Sequence, residues 1–430
     1  MKQIRSSFDH ATISSHEIND LQARLTPEIG RIKEAWAAGY ATEYASLSLS
    51  SDTELLGRVM AHARQAESLN PRMVIIIGIG GSNLGTMALL QALGHTDRSV
   101  HFADTVDAPY IQAMYDQAEA MLEQGDEILI IVISKSGSTT ETIANAQLFA
   151  ALLQKHKKEY ARNVMVISDE GSPLARIAAQ HSFSYLSIPQ QVGGRYSVFS
   201  AVGLFPLAVM GVDIVALRSG AESMKGACTH ETLYKNPAAL RAATLYQLYQ
   251  KGLYIHDTFA FSHALYGIGQ WYRQLLAESI GKAETKQGAL VHVGITPTTS
   301  IGSVDLHSVT QLSLAGPANR VTTFLTIAEQ KDISVPSGTA FDSLVPMIQG
   351  TSFRMIMQAI VDGTQKAYEY AHRPFMTIEL PELSAYHCGQ LLQMKMVEIM
   401  YLGFLFDIDP FNQPQVEWYK KETRKILSHE

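Results

Sequence analysis

The residues best suited to chemistry gather where apolar runs give way to small and polar residues. One such place is Ser134-Lys-Ser-Gly-Ser-Thr-Thr-Glu-Thr142, a string of hydroxyls with one lysine and one glycine. A helix cap needs a single hydroxyl. A string of them at a strand-to-helix turn suits a phosphate dianion, held by hydroxyls and by the free N–H groups of the helix start. Ser134, Lys135, Ser136 and Thr139 are its expected contacts. The second place is Gly78-Ile-Gly-Gly-Ser-Asn-Leu-Gly85, whose glycines let the backbone turn tightly against an anion at Gly81 and Ser82. Taken alone, that string is weakly specific. A dinucleotide fingerprint wants glycine where Asn83 stands, although Asp104 lies at a spacing that mimics its ribose-binding acid. A P-loop wants Lys-Ser/Thr after Gly85 and meets Thr86-Met87 instead. Both nucleotide readings fail on their own terms.

Four further motifs follow: Gly193-Gly-Arg-Tyr-Ser197, Glu278-Ser-Ile-Gly-Lys282, Asp305-Leu-His-Ser308 and Asn412-Gln-Pro-Gln-Val-Glu-Trp-Tyr-Lys420. With the first two they span residues 78 to 420. In this order the chain resembles the glucose-6-phosphate isomerases of the sugar isomerase (SIS) domain superfamily. The resemblance implies an aldose–ketose isomerase that opens a sugar ring and moves a proton between C1 and C2 through a cis-enediol(ate). It implies no cofactor and no metal. By its match Glu278 is the proton mover, a role for a carboxylate whose basicity rises with desolvation. Arg195 meets the developing oxyanion with a charge it cannot lose. His307, whose ordinary pKa lies near neutrality, opens the ring. Lys420 is implied as a second participant there, and Gln413 as a hydrogen-bond partner near the phosphate. The family tail carries glycine where this chain has Gln415 and Tyr419, a change expected to narrow the site or shift its backbone. A homodimer with a shared active site is also implied, His307 reaching into the partner's pocket.

These residues need a scaffold that delivers them to one place. Met73–Ile77 is a short β-branched run ending at Gly78, and similar runs recur at Ile128–Ile133 and 164–167. Helical stretches, Ala108–Glu123 and 138–154, separate them. Buried runs alternating with helices indicate βαβ units and a parallel sheet covered on both faces. In the second half 253–255, Leu290–Val293 and 321–327 read as strands, with helices at His263–Ile280, 353–371 and 384–404. The expected architecture is two doubly wound, mainly parallel α/β domains of flavodoxin-like type, with helical extensions at both ends. Its parts are a helical segment 1–70 without strands, domains at 71–214 and 251–382, a helical connector 215–250, and 383–430 as a last helix and irregular tail. Ligands in such sheets sit at the carboxyl ends of strands, where the motifs fall.

Composition narrows the partners. A chain of 430 residues with 46% apolar content can fill two cores. Its net charge of −7 argues against nucleic acid. The fifteen histidines form no HxH or HxxxH pair beside a carboxylate, so no metal is expected. Cys228 and Cys388 stand far apart, which excludes a disulfide framework and suits a reducing compartment. No apolar leader follows Met1, and a cytoplasmic location is expected. The uncharged stretch 196–212 contains Pro206 and stops at Asp213, so it reads as a buried helix and no membrane contact is expected. A sugar-phosphate sensor would share the phosphate cradle but would not need Glu278, Arg195 and His307 together. The expected partner is a small sugar phosphate.

Overall fold

Met73–Ile77 and Ile128–Ile133 are buried along their whole length, as strands covered on both faces must be. The computed structural model, which describes residues 2–94 and 96–428, sets them side by side. In chain order the first half comprises β1 (Arg5–Ser7), α1 (Ser15–Ala37), α2 (Thr53–Ser68), β2 (Met73–Ile77), α3 (Leu84–Leu93), β3 (Ser99–Ala103) and α4 (Ala108–Glu123). It continues with β4 (Ile128–Ile133), α5 (Thr140–His156), β5 (Val164–Asp169), α6 (Pro173–Gln180), β6 (Ser184–Ile188) and α7 (Ala201–Val209). Five of these strands form one parallel sheet in the order β3-β2-β4-β5-β6. The winding reverses between β2 and β4, so the crevice at their carboxyl ends is a topological switch point.

The second half runs α8 (Ile214–Cys228), α9 (Pro237–Gln250), β7 (Ile255–Ala260), α10 (His263–Ile280), β8 (Lys282–Glu284), β9 (Leu290–Val293) and β10 (Thr296–Ile301). Then come α11 (Thr310–Ala315), β11 (Arg320–Glu329), α12 (Phe353–Tyr370), β12 (Phe375–Glu382), α13 (Ala385–Leu405) and α14 (Val416–Ser428). Strands β12, β11, β7 and β10 pair in parallel, and β1 closes the sheet edge antiparallel to β12.

Three expectations are corrected here. Residues 1–70 are not helical throughout, since β1 pairs Arg5 with Glu379. Three polar residues carry no strand signal of their own; the open edge of β12 supplies it. The C-terminal tail is not irregular, because Val416–Ser428 is a helix. Leu290–Val293 is a strand of neither large sheet and forms a two-stranded antiparallel ribbon with β8. Of the other strands missed by pattern, β3, β6 and β10 lie at sheet edges, β8 belongs to the ribbon, and β12 lies inside its sheet. Edge strands are only partly covered, so they need no unbroken apolar run, and β10 tolerates Pro297. The 196–212 stretch does hold a buried helix, α7. Among the described residues no helix is long and apolar enough to cross a membrane.

Helix α10, which carries Glu278, is clamped from two sides. Toward α3, Gly267 permits the approach: a Cβ there would lie 2.9 Å from the Ala88 Cα. Toward α13, a fully buried ion cluster ties the helices. Glu398 accepts from Arg241 Nε at 2.8 Å, Lys395 Nζ at 2.9 Å and the Tyr272 hydroxyl at 2.6 Å. Tyr272 sits on α10, Arg241 on α9 and the others on α13. Losing one partner of such a cluster leaves a charge stranded in the core, which costs about 3–5 kcal/mol.

Candidate active site

The two phosphate-cradle motifs end β2 and β4, neighbours across the switch point. Thr139 occupies the N-cap of α5 yet makes no capping bond. Its hydroxyl instead meets the buried Ser134 hydroxyl at 3.1 Å. Asn83 likewise leaves α3 uncapped, donating to Asp104 Oδ2 at 3.3 Å. Two helix starts therefore point into one crevice without a side-chain cap, and uncapped N–H groups attract anions. Ser136 is exposed, its hydroxyl accepting from the Ser138 N–H; Ser82 is half-buried.

Two cradle residues do work the sequence did not announce. Lys135 is tied to a neighbouring loop, its ammonium donating to the Gln190 and Val192 carbonyls at 2.7 and 2.9 Å. Burial pushes its pKa down, opposed by Asp169. It thereby anchors the loop that leads to Gly193-Gly194-Arg195. Gly81 packs against that same loop: a Cβ on it would lie 2.3 Å from the Gly194 carbonyl carbon and 2.6 Å from the Arg195 nitrogen.

Arg195 is 3% exposed. Its Nε donates to Ser279 Oγ at 2.7 Å; one terminal nitrogen donates to Gln413 Oε1 at 2.7 Å and Glu278 Oε2 at 3.4 Å. The other donates to the Pro410 and Asn412 carbonyls at 2.6 and 3.1 Å. A guanidinium has five N–H donors, and all five have partners. Tyr196 supports the arrangement through its hydroxyl, shared with Ser279 and the Pro410 carbonyl, and burial pushes its pKa up. The Glu278 side chain keeps 33% of its surface open, and its second oxygen accepts from Gln274 Nε2 at 3.0 Å. The carboxylate is thus gripped at both oxygens and still reachable.

Gln274 was not singled out from sequence, though its spacing of four from Glu278 puts both on one helix face. Its Oε1 is buried without a hydrogen-bond partner among the described residues. Ser279 and Lys282 were visible only as parts of a motif. Their roles depend on the fold.

Among the described residues, the remaining expected ones, His307 and Lys420, share no hydrogen bond or ion pair with this cluster. His307 is exposed, at the end of the turn Val304–His307. Asp305 orders that turn by accepting from the Ile301 N–H at 2.7 Å and the Ser308 hydroxyl at 2.7 Å. Lys420 lies on α14, paired with Glu417 at 2.7 Å. Gln415 and Tyr419 both keep negative φ, so neither position needs the left-handed freedom of glycine, and the expected backbone shift has no local cause there.

Fold and site first define a class: two-sheet parallel α/β proteins with an arginine–carboxylate pair beside an anion-ready crevice. The particular family follows from comparison. The chain belongs to the phosphoglucose isomerase family, which it matches over residues 64–430, and it is an isomerase. It is 31% identical over 415 residues to a probable glucose-6-phosphate isomerase of Haloarcula marismortui, covering 96% of this chain and 90% of that one. It is 32% identical over 354 residues to a glucose-6-phosphate isomerase of Methanocaldococcus jannaschii, covering 82% and 84%. The crystal structure of a hypothetical protein from Thermus thermophilus superposes with a TM-score of 0.86 at 28% identity, covering 99% of this chain and 100% of that one.

Proposed function

We propose that the protein, an isomerase that interconverts D-glucose 6-phosphate and D-fructose 6-phosphate, does so by carboxylate-mediated proton transfer at Glu278. The observation that carries this reading is the pairing of a reachable carboxylate with a buried arginine at the crevice. The phosphate lies at the uncapped starts of α3 and α5, among Gly81, Ser82, Ser134, Ser136 and Thr139. Its remote binding energy orients the reacting carbons. Lys135 contributes by holding the arginine loop, and its charge adds to the field over the crevice. Glu278 takes the proton from one carbon and returns it to the other. The oxidation at one carbon and the reduction at its neighbour balance within the sugar, so no cofactor enters. Arg195 stabilises the enediolate oxygen when substrate displaces its contact to Glu278 or Gln413, at no reorganisation of the loop below.

A second copy of the chain completes the site. His307 is exposed and shares no hydrogen bond with the Arg195–Glu278 cluster, which supports its delivery to a partner's pocket for ring opening. Lys420, one turn along α14 from Glu417, joins it there. Val304 and Leu312, near the histidine in sequence, are exposed apolar side chains, as are Ile333, Phe341, Leu344 and Met347. Exposed apolar side chains beside the histidine suit burial against a second copy. A cytoplasmic site of action suits the two free, buried cysteines.

Glu278→Gln tests the reading. The amide keeps the shape but cannot accept a proton, so solvent deuterium exchange at C2 should vanish while substrate still binds. Exchange at the wild-type rate would remove Glu278 from the reaction.

A further inference from the structure

Lys282 closes the motif that Glu278 opens, and neither the phosphate cradle nor the Arg195 pair uses it. It stands just beyond the end of α10, as the first residue of β8. The last carbonyls of a helix have no donor within the helix. In α10 the Ala277 carbonyl accepts from the Gly281 N–H, and the Glu278 carbonyl accepts from the Lys282 ammonium at 2.5 Å. The backbone of Glu278 is therefore held by Lys282, while its side chain is held by Arg195 and Gln274.

The surroundings are unusual for a helix cap. Lys282 is only 8% exposed, yet it forms part of the wall of an open cavity of about 380 Å³ with Glu43, Glu284, Lys286 and Asp409. A flexible, strongly hydrated lysine is seldom buried unless its charge is used.

We propose that Lys282 is a positioning residue for the isomerisation: its ammonium fixes the last turn of α10 and so sets the Glu278 carboxylate against Arg195. This rests on Glu278 being the proton-transfer group. A cap that only stabilises the fold would leave the rate of folded protein untouched. A positioning group would not, because a small misplacement of the base costs far more in turnover than in binding.

The electrostatics supply a signature. Burial and then the neighbouring Arg195 guanidinium push Lys282 down to about 8, against the opposite pull of Asp409 and Glu278. Glu43, Glu284 and Lys286 face the same cavity. The ammonium is charged below that value and neutral above it. A neutral amine can still donate one hydrogen, but without charge assistance. Turnover therefore falls as pH rises through about 8, while KM, set largely at the phosphate, holds.

The test measures kcat and KM for fructose 6-phosphate from about pH 6 to about pH 10 in wild type, Lys282→Arg and Lys282→Met, with the folded fraction read by circular dichroism. Lys282→Met should lower kcat at neutral pH by about tenfold or more with KM little changed, and should lose the alkaline fall. Lys282→Arg, which keeps its charge, should restore most of the rate and move the fall to higher pH. Wild-type kcat in Lys282→Met overturns the proposal, as does an alkaline fall that Lys282→Arg leaves in place, or a loss that only tracks the folded fraction. Should Lys282→Met not fold, the wild-type profile still decides. An ammonium ionisation moves to lower pH on warming, and a fall that stays fixed with temperature removes Lys282. Glu278→Gln in the same assay separates the two ideas. Normal exchange there removes the base assignment, whereas a dead Glu278→Gln beside an unaltered Lys282→Met removes only the positioning role.

Discussion

Arg195 binds two separate pieces of chain with one side chain: Ser279 and Glu278 on α10, and the segment 410–413 through the Pro410 and Asn412 carbonyls and the Gln413 side chain. A planar fork of five donors can do this, and an ammonium with three cannot. Arg195→Lys keeps the charge but must abandon at least two partners. We expect its kcat to fall by about 10² or more, the order seen when one preorganised oxyanion donor is removed. We also expect a lower unfolding temperature, since buried carbonyls lose their donors. Near-normal turnover in steady-state kinetics would show that charge alone suffices. The residue types here were legible in the sequence, because an arginine after two glycines stands out. What the arginine holds was not legible, since its partners lie 83 to 218 positions away.

At the scale of elements, the site is a meeting of turns. The turn after β2 touches the turn carrying Arg195, and Gly81 is the point of contact. A side chain there would fall inside van der Waals distance of backbone that cannot swing aside. Gly81→Ala should therefore push the two turns apart, costing about 1–3 kcal/mol of stability as overpacking does. Turnover should drop with it as Arg195 shifts. Gly57, inside α2, is the matched control: nothing lies within 4 Å of a Cβ there, and Gly57→Ala should stabilise by about 0.5–1 kcal/mol. Chemical denaturation of both variants, alongside kcat, checks the pair. An unchanged Gly81→Ala would mean the turns can separate freely. The glycine string reads from sequence as an anion loop, and its crowding against another turn only the fold reveals.

For the whole molecule, the test is whether the proposed site is shared. If each pocket takes Glu278 from one copy and His307 from the other, inactive Glu278→Ala and His307→Ala chains can rescue one another. Unfolded together and refolded, half of the pockets in each mixed dimer would regain both groups. Random pairing then restores about a quarter of wild-type activity. No recovery, with mixed dimers shown by native mass spectrometry, would place His307 in its own chain's pocket or outside the site. The ion cluster of Glu398, Arg241 and Lys395 acts at this scale too, because it joins α9, α10 and α13 into the body against which the site is built.

The sequence by itself determined the family, through six motifs in order, and the parallel cores, because strands buried on both faces must be apolar throughout. Helices α4 and α10 could be bounded to the residue for a related reason, their strong pattern between clear stops. Tertiary structure decided the rest. It gave β1 a partner that three polar residues could not advertise, and it made strands of the partly covered edges β3, β6 and β10. It tied Lys135 to the loop before Arg195, left Thr139 without a capping bond, and brought Gln274 and Lys282 to Glu278. Each of these depends on contacts between segments far apart in the chain. A side chain's type limits the bonds it can make, but only packing selects which partner lies within three ångströms of it.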